Sequence, residues 1–273
     1  MVQLNLDSKR LAKTYDEVSD SQFANGRDLV EQLGVGAGDT VLDIGCGTGR
    51  LGLHVLEKIG SGGRFIGVDP LPERISIATA RNTHPNAQFR VGVAEDLEFV
   101  ASGSVDVVYL SAVFHWIRDK EKALTEIFRV LKPGGRVGLT TGAKELAHTT
   151  TLRRITDGVL KREPFNNRVN VEDYATNRSG VTTTELVTLL VSAGFDLDDI
   201  RIRSVLRHYR SGQHIIDFVE SSTFGNYLNH VPAELQDKAR REIESEFEKL
   251  KTEDGINFKG YTIFALAAKP VVH

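Results

Sequence analysis

Between positions 40 and 141 the chain alternates short apolar runs with longer stretches whose apolar residues recur every three or four positions. The runs at Thr40–Ile44, Arg64–Val68, Gln88–Val91, Val105–Leu110 and Val137–Thr141 have the length of strands. The stretches Gly49–Ile59, Pro72–Asn82 and Asp119–Leu131 carry a helical period. Strands alternating with helices through glycine-containing turns predict an α/β fold, with a parallel sheet covered on both faces. Ahead of this core, residues 8–33 read as helical, with Ser19 or Asp20 as a cap between two helices, until GVGAGD (34–39) breaks the pattern.

Beyond the core the pattern loosens. Residues 143–180 are polar and irregular, with one helix over Thr151–Lys161 and a loop. A helix follows at Thr183–Ala193, then GFDLDDIRIRSVL reads as a turn and a strand. Residues 212–251 hold two more helices, the second (Pro232–Leu250) so charged that one face must be solvated, and Tyr261–Ala267 is a last strand. No internal repeat interrupts this order.

Composition narrows the function classes. The 273 residues, 40% of them apolar, suffice for a sizeable core. Lysine and arginine total 34 against 37 acids, for a net charge of −3, and no basic face of the kind that grips phosphate backbones stands out. Neither nucleic acid nor a membrane is an expected partner. MVQLNLDSKRL lacks the order of a secretory signal, no apolar stretch is long enough to span a bilayer, and a cytoplasmic protein is expected. Cys46 is the only cysteine, which precludes an internal disulfide or a cysteine-cluster metal site. The histidines outside position 115 lack metal-ligand spacing, so no metal is expected.

The chemistry concentrates in VLDIGCGTGR (41–50). Gly45, Gly47 and Gly49 stand where the first core strand turns into a helix, the place at which open parallel sheets bind ligands. Glycine admits positive φ and lets a ligand approach bare backbone. The next strand ends in Asp69, twenty residues after Gly49, where an acid can accept hydrogen bonds from both ribose hydroxyls. The dinucleotide fingerprint would need a further glycine where Arg50 stands, and no Gly-Lys-Ser/Thr is present for a nucleoside triphosphate. Asp43 at the strand end suits a cationic ligand and would repel pyrophosphate.

VLDIGCGTG, then VDP (68–70) and LKPGG (131–135), together resemble the successive motifs of class I S-adenosylmethionine-dependent methyltransferases, chiefly across residues 8–142. The resemblance implies a doubly wound, Rossmann-like seven-stranded sheet whose last strand is antiparallel. It also implies S-adenosylmethionine as cofactor, with Asp43, Gly45, Cys46, Gly47, Thr48 and Gly49 near its methionine portion and Asp69 on the ribose. Pro70, Leu71, Ala94, Glu95 and Ser111 complete the expected contacts. Leu71 has an equal reading as a core residue. In GVAEDL, Val93 stands where relatives often place an Asp for the adenine amino group, leaving Asp96, Glu95 or backbone groups to replace it. Pro133–Gly135 would form the turn before strand five.

In the family the acceptor faces the residues after strand four, here SAVFHW (111–116). His115 and Trp116 are candidates for holding it, against the alternatives of a surface histidine at a helix start and a tryptophan capping the core. YDEVSDSQF (15–23) resembles the opening of small-molecule methyltransferases that esterify trans-aconitate, juvenile hormone acid and the malonyl carrier protein. By that likeness Tyr15 and Gln22 close over the methyl donor, while Gln22, His115 and Trp116 hold a carboxylate. O-methylation of a small carboxylic acid is the expected reaction, with methylation of a hydroxyl, thiol, nitrogen or carbon as the alternative. A non-catalytic S-adenosylmethionine-binding module is the alternative from another class.

The expected organisation is one methyltransferase domain: a helical lid (1–36), a cofactor-binding core (37–142) and substrate caps (143–180 and 211–258). Phe165, Tyr174, Phe218, Phe224 and Tyr227 are either cap-pocket linings or core residues, and Arg168, Arg178 or Arg207 are candidates to meet an acidic substrate. The chain is expected to act on a small molecule as a monomer or homodimer.

Overall fold

The structure, a computed structural model, describes residues 7–169 and 180–271. Tyr174 and Arg178 lie outside the described residues. Seven strands, β1 (Thr40–Ile44), β2 (Arg64–Asp69), β3 (Ala87–Val91), β4 (Val105–Ser111), β5 (Leu131–Gly142), β6 (Asp196–Tyr209) and β7 (Ile256–Ala268), form one sheet in the order β3-β2-β1-β4-β5-β7-β6. β1 pairs in parallel with β2 and β4, β2 with β3, and β4 with β5. β7 runs antiparallel to β5, from Gly142↔Thr262 to Arg136↔Ala268. The sheet is thus the α/β arrangement expected, its last strand reversed.

The nine helices named here are α1 (Lys9–Val18), α2 (Asp20–Gln32), α3 (Arg50–Ile59), α4 (Pro72–Arg81), α5 (Lys120–Val130), α6 (Thr151–Leu160), α7 (Thr183–Ser192), α8 (Gly212–Ser222) and α9 (Ala233–Glu248). Their starts follow from local hydrogen bonding. Ser8, Asp119, Thr150 and Ser211 each accept a backbone N–H of the first turn they precede. Thr182 and Glu185 close a reciprocal capping box at α7.

The chain divides into two compact units. One comprises Gln22–Lys144, Gly180–Arg203 and Thr262–His273. Within it, Leu29 and Val30 of α2, Leu33 just after it, and Val55, Leu56 and Ile59 of α3 bury against Val41, Phe65, Val107 and Phe264 of the sheet. The strands β1 and β4 are apolar nearly throughout because helices cover both faces of a parallel sheet. The other unit comprises Met1–Ser21, Glu145–Ser179 and Ser204–Tyr261. Its core joins α6, α8 and α9 through Val159, Phe165, Ile216, Phe218, Tyr227, Ile243 and Phe247. Phe165, Phe218 and Tyr227 therefore serve as core of that unit, and Phe224 is buried too.

Two boundaries differ from the periodicity. β7 begins at Ile256, not Tyr261, because Ile256, Phe258 and Gly260 alternate inward with exposed Asn257 and Lys259. Lys132–Gly135 does not precede β5 as a separate turn but bulges within it. Leu131 pairs with Val105 and Arg136 with Val107, so the partner strand advances two residues while β5 advances five. Gly134, at φ 77°, permits the excursion, and its N–H donates to Lys269 O at 2.8 Å.

Candidate functional site

The site is built at the carboxyl ends of β1, β2 and β4. After Ile44 the backbone turns through three left-handed residues, Gly45 (φ 77°), Gly47 (φ 54°) and Gly49 (φ 73°), and Gly49 caps α3. The N–H groups of Gly45 and Cys46 both donate to Val68 O, at 2.7 and 3.0 Å, which fastens the loop to the end of β2. A Cβ on Gly45 would lie 2.2 Å from Val113 Cγ2, and one on Gly49 would lie 2.6 Å from Asn82 Nδ2. Gly47 differs: a Cβ there would meet nothing within 4 Å, so its glycine answers to φ and leaves bare backbone on an open side.

α4 braces the far end of the loop. Arg81 Nη1 donates to Thr48 O and Oγ1 at 3.1 and 3.3 Å, and buried Asn82 Nδ2 donates to Gly49 O at 3.3 Å and Ala78 O at 2.8 Å. Asp69 closes the near end. Its Oδ2 accepts from Gly47 N at 2.9 Å and its Oδ1 from Leu71 N at 3.0 Å, so both oxygens are aimed by the backbone. Pro70 is half-buried, and buried Leu71 precedes α4 as its N-cap.

Asp43 lies 2% exposed among other acid groups. Tyr109 is its direct neighbour across β1 and β4, and the Tyr109 hydroxyl donates to Asp43 Oδ2 at 2.7 Å. Burial pushes the Asp43 carboxyl up to about 8, the Asp69 charge adds to that rise, and the Tyr109 hydrogen bond opposes it. Burial, followed by Asp43 and Asp69, likewise pushes the Cys46 thiol up. Among the described residues no basic side chain pairs with Asp43. This donor set fits a ligand that brings a positive charge, bare-backbone contact at Gly47 and a polyol within reach of Asp69.

On the opposite wall, β4 ends at Ser111 and turns through Ala112 (φ 59°), whose N–H donates to Thr140 O and Oγ1 at 3.0 and 2.9 Å. A single 3₁₀ turn, Phe114–Trp116, follows. Phe114 is fully buried and anchors it, while His115 and Trp116 are half-buried with ring centroids 4.6 Å apart. His115 Nδ1 lies 3.1 Å from Thr141 Oγ1.

The structure therefore gathers Asp43, Gly45–Gly49, Asp69 and the Ser111–Trp116 turn in one unit. Gln22 lies in the first turn of α2 in the same unit, whereas Tyr15 lies on α1 in the other. Ala94 is buried. Glu95 Oε1 accepts from Arg118 N and Asp119 N at 3.2 and 3.3 Å, fixing the approach to α5. Val93 bridges back to Asp96. Arg168 pairs with Glu234, and Arg207 lies over the Phe218 ring. Among the described residues no group of three or more His, Cys, Asp or Glu side chains is placed to hold a metal, and no helix is long and apolar enough to cross a membrane. Tyr109, Arg81, Asn82, Thr140 and Thr141 are additions that spacing did not indicate, while Val113 falls within the SAVFHW stretch already singled out. For Tyr109 one signal existed, a lone phenol in the otherwise aliphatic VVYL of β4.

A Rossmann-like sheet with a glycine loop after β1 and an acid after β2 defines a nucleoside-cofactor-binding α/β protein. The family model for a methyltransferase domain matches residues 42–139, which holds the loop, Asp69 and the β4 turn. The chain is 30% identical over 208 residues to the chloroplastic 2-phytyl-1,4-beta-naphthoquinone methyltransferase of Arabidopsis thaliana, covering 68% of this chain and 77% of that one. It belongs to the class I S-adenosylmethionine-dependent methyltransferase family. An arsenite methyltransferase of Halobacterium salinarum is 31% identical over 248 residues, 85% of this chain and 56% of that one. The chain spans about half the length of the first curated relatives it matches. Among solved structures, one chain of the complex between the Haloferax volcanii Trm112 methyltransferase activator and a methyltransferase superposes with TM-score 0.62 at 20% identity, covering 96% of this chain and 95% of that one. At that identity the likeness speaks for the fold.

Proposed function

We propose that the chain transfers a methyl group from S-adenosylmethionine to a small molecule, and that the acceptor is a carboxylic acid. Asp43, the Gly45–Gly49 loop and Asp69 are the residues that would hold the nucleoside, with Pro70, Leu71, Ala94, Glu95 and Ser111 around it. When bound, it supplies a methyl group on a positively charged sulfur. The task left to the protein is alignment and exclusion of water.

The observation behind this reading is the His115–Thr141 contact in the turn after β4, which seats the ring and lets its other nitrogen donate in one of two tautomers. When Thr141 Oγ1 donates to Nδ1, Nε2 carries the proton and offers a donor to an acceptor anion. A carboxylic acid with an ordinary pKa of about 4 is already ionised at neutral pH and needs orientation alone. By that reading Gln22 and Trp116 help hold the carboxylate. When Nδ1 instead donates to Thr141, Nε2 accepts, and His115 is set up as a base for a hydroxyl. Arsenite, the acceptor of one named relative, is a poor match. Soft trivalent arsenic favours thiolates, and the single cysteine here is buried with its thiol pushed up.

The test is the pH profile of kcat/KM with a panel of small acids and hydroxyl compounds, read after the separately measured pH dependence of cofactor affinity is removed. Acid esterification predicts a flat profile from about pH 6 to 8, since the acceptor titrates well below this range. A rise across the ordinary imidazole range near 6.5 that disappears in His115→Ala overturns the acid reading in favour of hydroxyl methylation.

A further inference from the structure

Asp43, Cys46, Asp69 and Tyr109 form a buried cluster of two carboxyls, a thiol and a phenol, exposed by 2%, 7%, 6% and 0%. Every member is neutral or negative. These are the titratable groups that bear on Asp43 from the elements around it: Tyr109 from β4, Asp69 from β2 and Cys46 from the loop. Of the three, only Tyr109 offers Asp43 a hydrogen bond, along the shortest path the sheet allows, a direct cross-strand pair.

We propose that Tyr109 is a positioning residue that readies Asp43 to become the anionic counter-ion of a cationic nucleoside, and that uptake of the nucleoside expels the Asp43 proton. The inference rests on the cofactor reading above and deepens it. A phenol O–H can donate to a carboxyl oxygen in either protonation state, but its bond to the ionised form is the stronger. The hydroxyl therefore favours ionisation in a pocket that otherwise opposes it. Burial beside Asp69 pushes the carboxyl up to about 8 and so favours its protonated form at neutral pH, against the Tyr109 hydrogen bond. A ligand cation beside it favours the carboxylate, and the displaced proton passes to the buffer. Binding must then weaken as pH falls below 8, by up to about tenfold per unit, since each unit protonates ten times more of the competing form.

The experiment is titration calorimetry of the full chain with S-adenosylmethionine and, separately, S-adenosylhomocysteine, in buffers of different ionisation enthalpy. The window is pH 6 to 7, where the ligand's own amine stays charged. The wild type should gain about tenfold in affinity from pH 6 to pH 7 and release close to one proton per ligand. Asp43→Asn, which cannot titrate, should lose the slope and the release. Tyr109→Phe keeps the ring and removes only the donor; it should keep the slope but bind about tenfold more weakly at each pH, with the stability lost by deleting a buried hydrogen bond read separately from its melting curve. Coupling seen with both ligands assigns the ammonium as the partner cation, and coupling with S-adenosylmethionine alone assigns the sulfonium. Wild-type affinity that ignores pH, or a Tyr109→Phe protein indistinguishable from wild type, overturns the inference while leaving the cofactor reading intact. Failure of the wild type to bind either nucleoside at any pH overturns the cofactor reading instead.

Discussion

Gly45 of the glycine loop packs beside Val113 of the turn after β4, and a single methyl group can probe the fit. In Gly45→Ala two effects combine. A non-glycine residue held at φ 77° is disfavoured by roughly 1–2 kcal/mol. The new Cβ also falls 2.2 Å from Val113 Cγ2 and 2.7 Å from Val113 Cγ1, an overlap of the kind that costs about 1–3 kcal/mol to relieve. The expected loss of stability is about 2–5 kcal/mol, measured by urea unfolding. Val113 is half-buried, so Val113→Ala alone should cost less than about 1 kcal/mol. Combining the two removes the overlap with both Cγ atoms, leaving a close 3.0 Å approach to the Val113 Cβ and the backbone strain. The double mutant should be less damaged than the sum of the singles by about 1–3 kcal/mol, leaving roughly the strain of the left-handed residue. The loop should regain part of its nucleoside affinity with it. Strict additivity would refute the reasoning, because it would mean that Val113 does not set the room at Gly45.

Two further predictions follow from supports of the same unit. Asn82→Ala removes the donor to Gly49 O and Ala78 O; because Asn82 Oδ1 is itself buried without a partner, the net loss should sit near about 1 kcal/mol, with a larger proportional fall in nucleoside affinity. Asp106 accepts from Thr40 N at 2.9 Å and from Lys132 Nζ at 2.7 Å, and although burial opposes it, these bonds hold its carboxyl below the usual range. The stability it adds is present above the ordinary aspartate value and is lost as pH falls through the lowered one. Asp106→Asn should therefore cost about 1 kcal/mol at pH 7, discounted because Lys132 is 43% exposed, and nothing once acid has protonated the wild type; an Asn penalty that persists unchanged into acid would contradict this.

Much of the architecture was legible because a parallel sheet buried on both faces must be written in unbroken apolar runs. β1, β2 and β4 begin and end within a residue or so of the runs that predict them. The reversed last strand followed from the family resemblance alone, since one strand's direction leaves no mark in its own composition. The periodicity underread β7 because its first half alternates, Ile256 and Phe258 inward with Asn257 and Lys259 outward, and so shows no apolar run. It misplaced LKPGG because proline and glycine mark a turn without saying whether that turn lies between strands or bulges from one. The division into two units was invisible because both are assembled from three separate segments of chain.

The candidate site divides along the same physical line. Residues whose role is conformational or local announce themselves: three glycines at left-handed φ and an acid at the end of β2 sit close together in sequence. Residues whose role is a tertiary contact do not. Tyr109 lies sixty-six residues from Asp43, and it matters only because the β1–β4 register sets Asp43 opposite it. A slip of one residue would turn the phenol to the other face of the sheet and leave a buried carboxyl with no donor. The register of β4 against β5 likewise sets the Ser111–Trp116 turn, since the pairing of Ser111 with Thr140 brings Thr140 to the Ala112 amide and leaves Thr141 at the His115 ring. The surroundings of Asp43 and the seat of the His115 ring are thus both consequences of how β4 is registered against its two neighbours. A substitution that shifts β4, even one distant from both ligands, should disturb nucleoside affinity and turnover together, whereas changes confined to Thr141 should alter turnover alone.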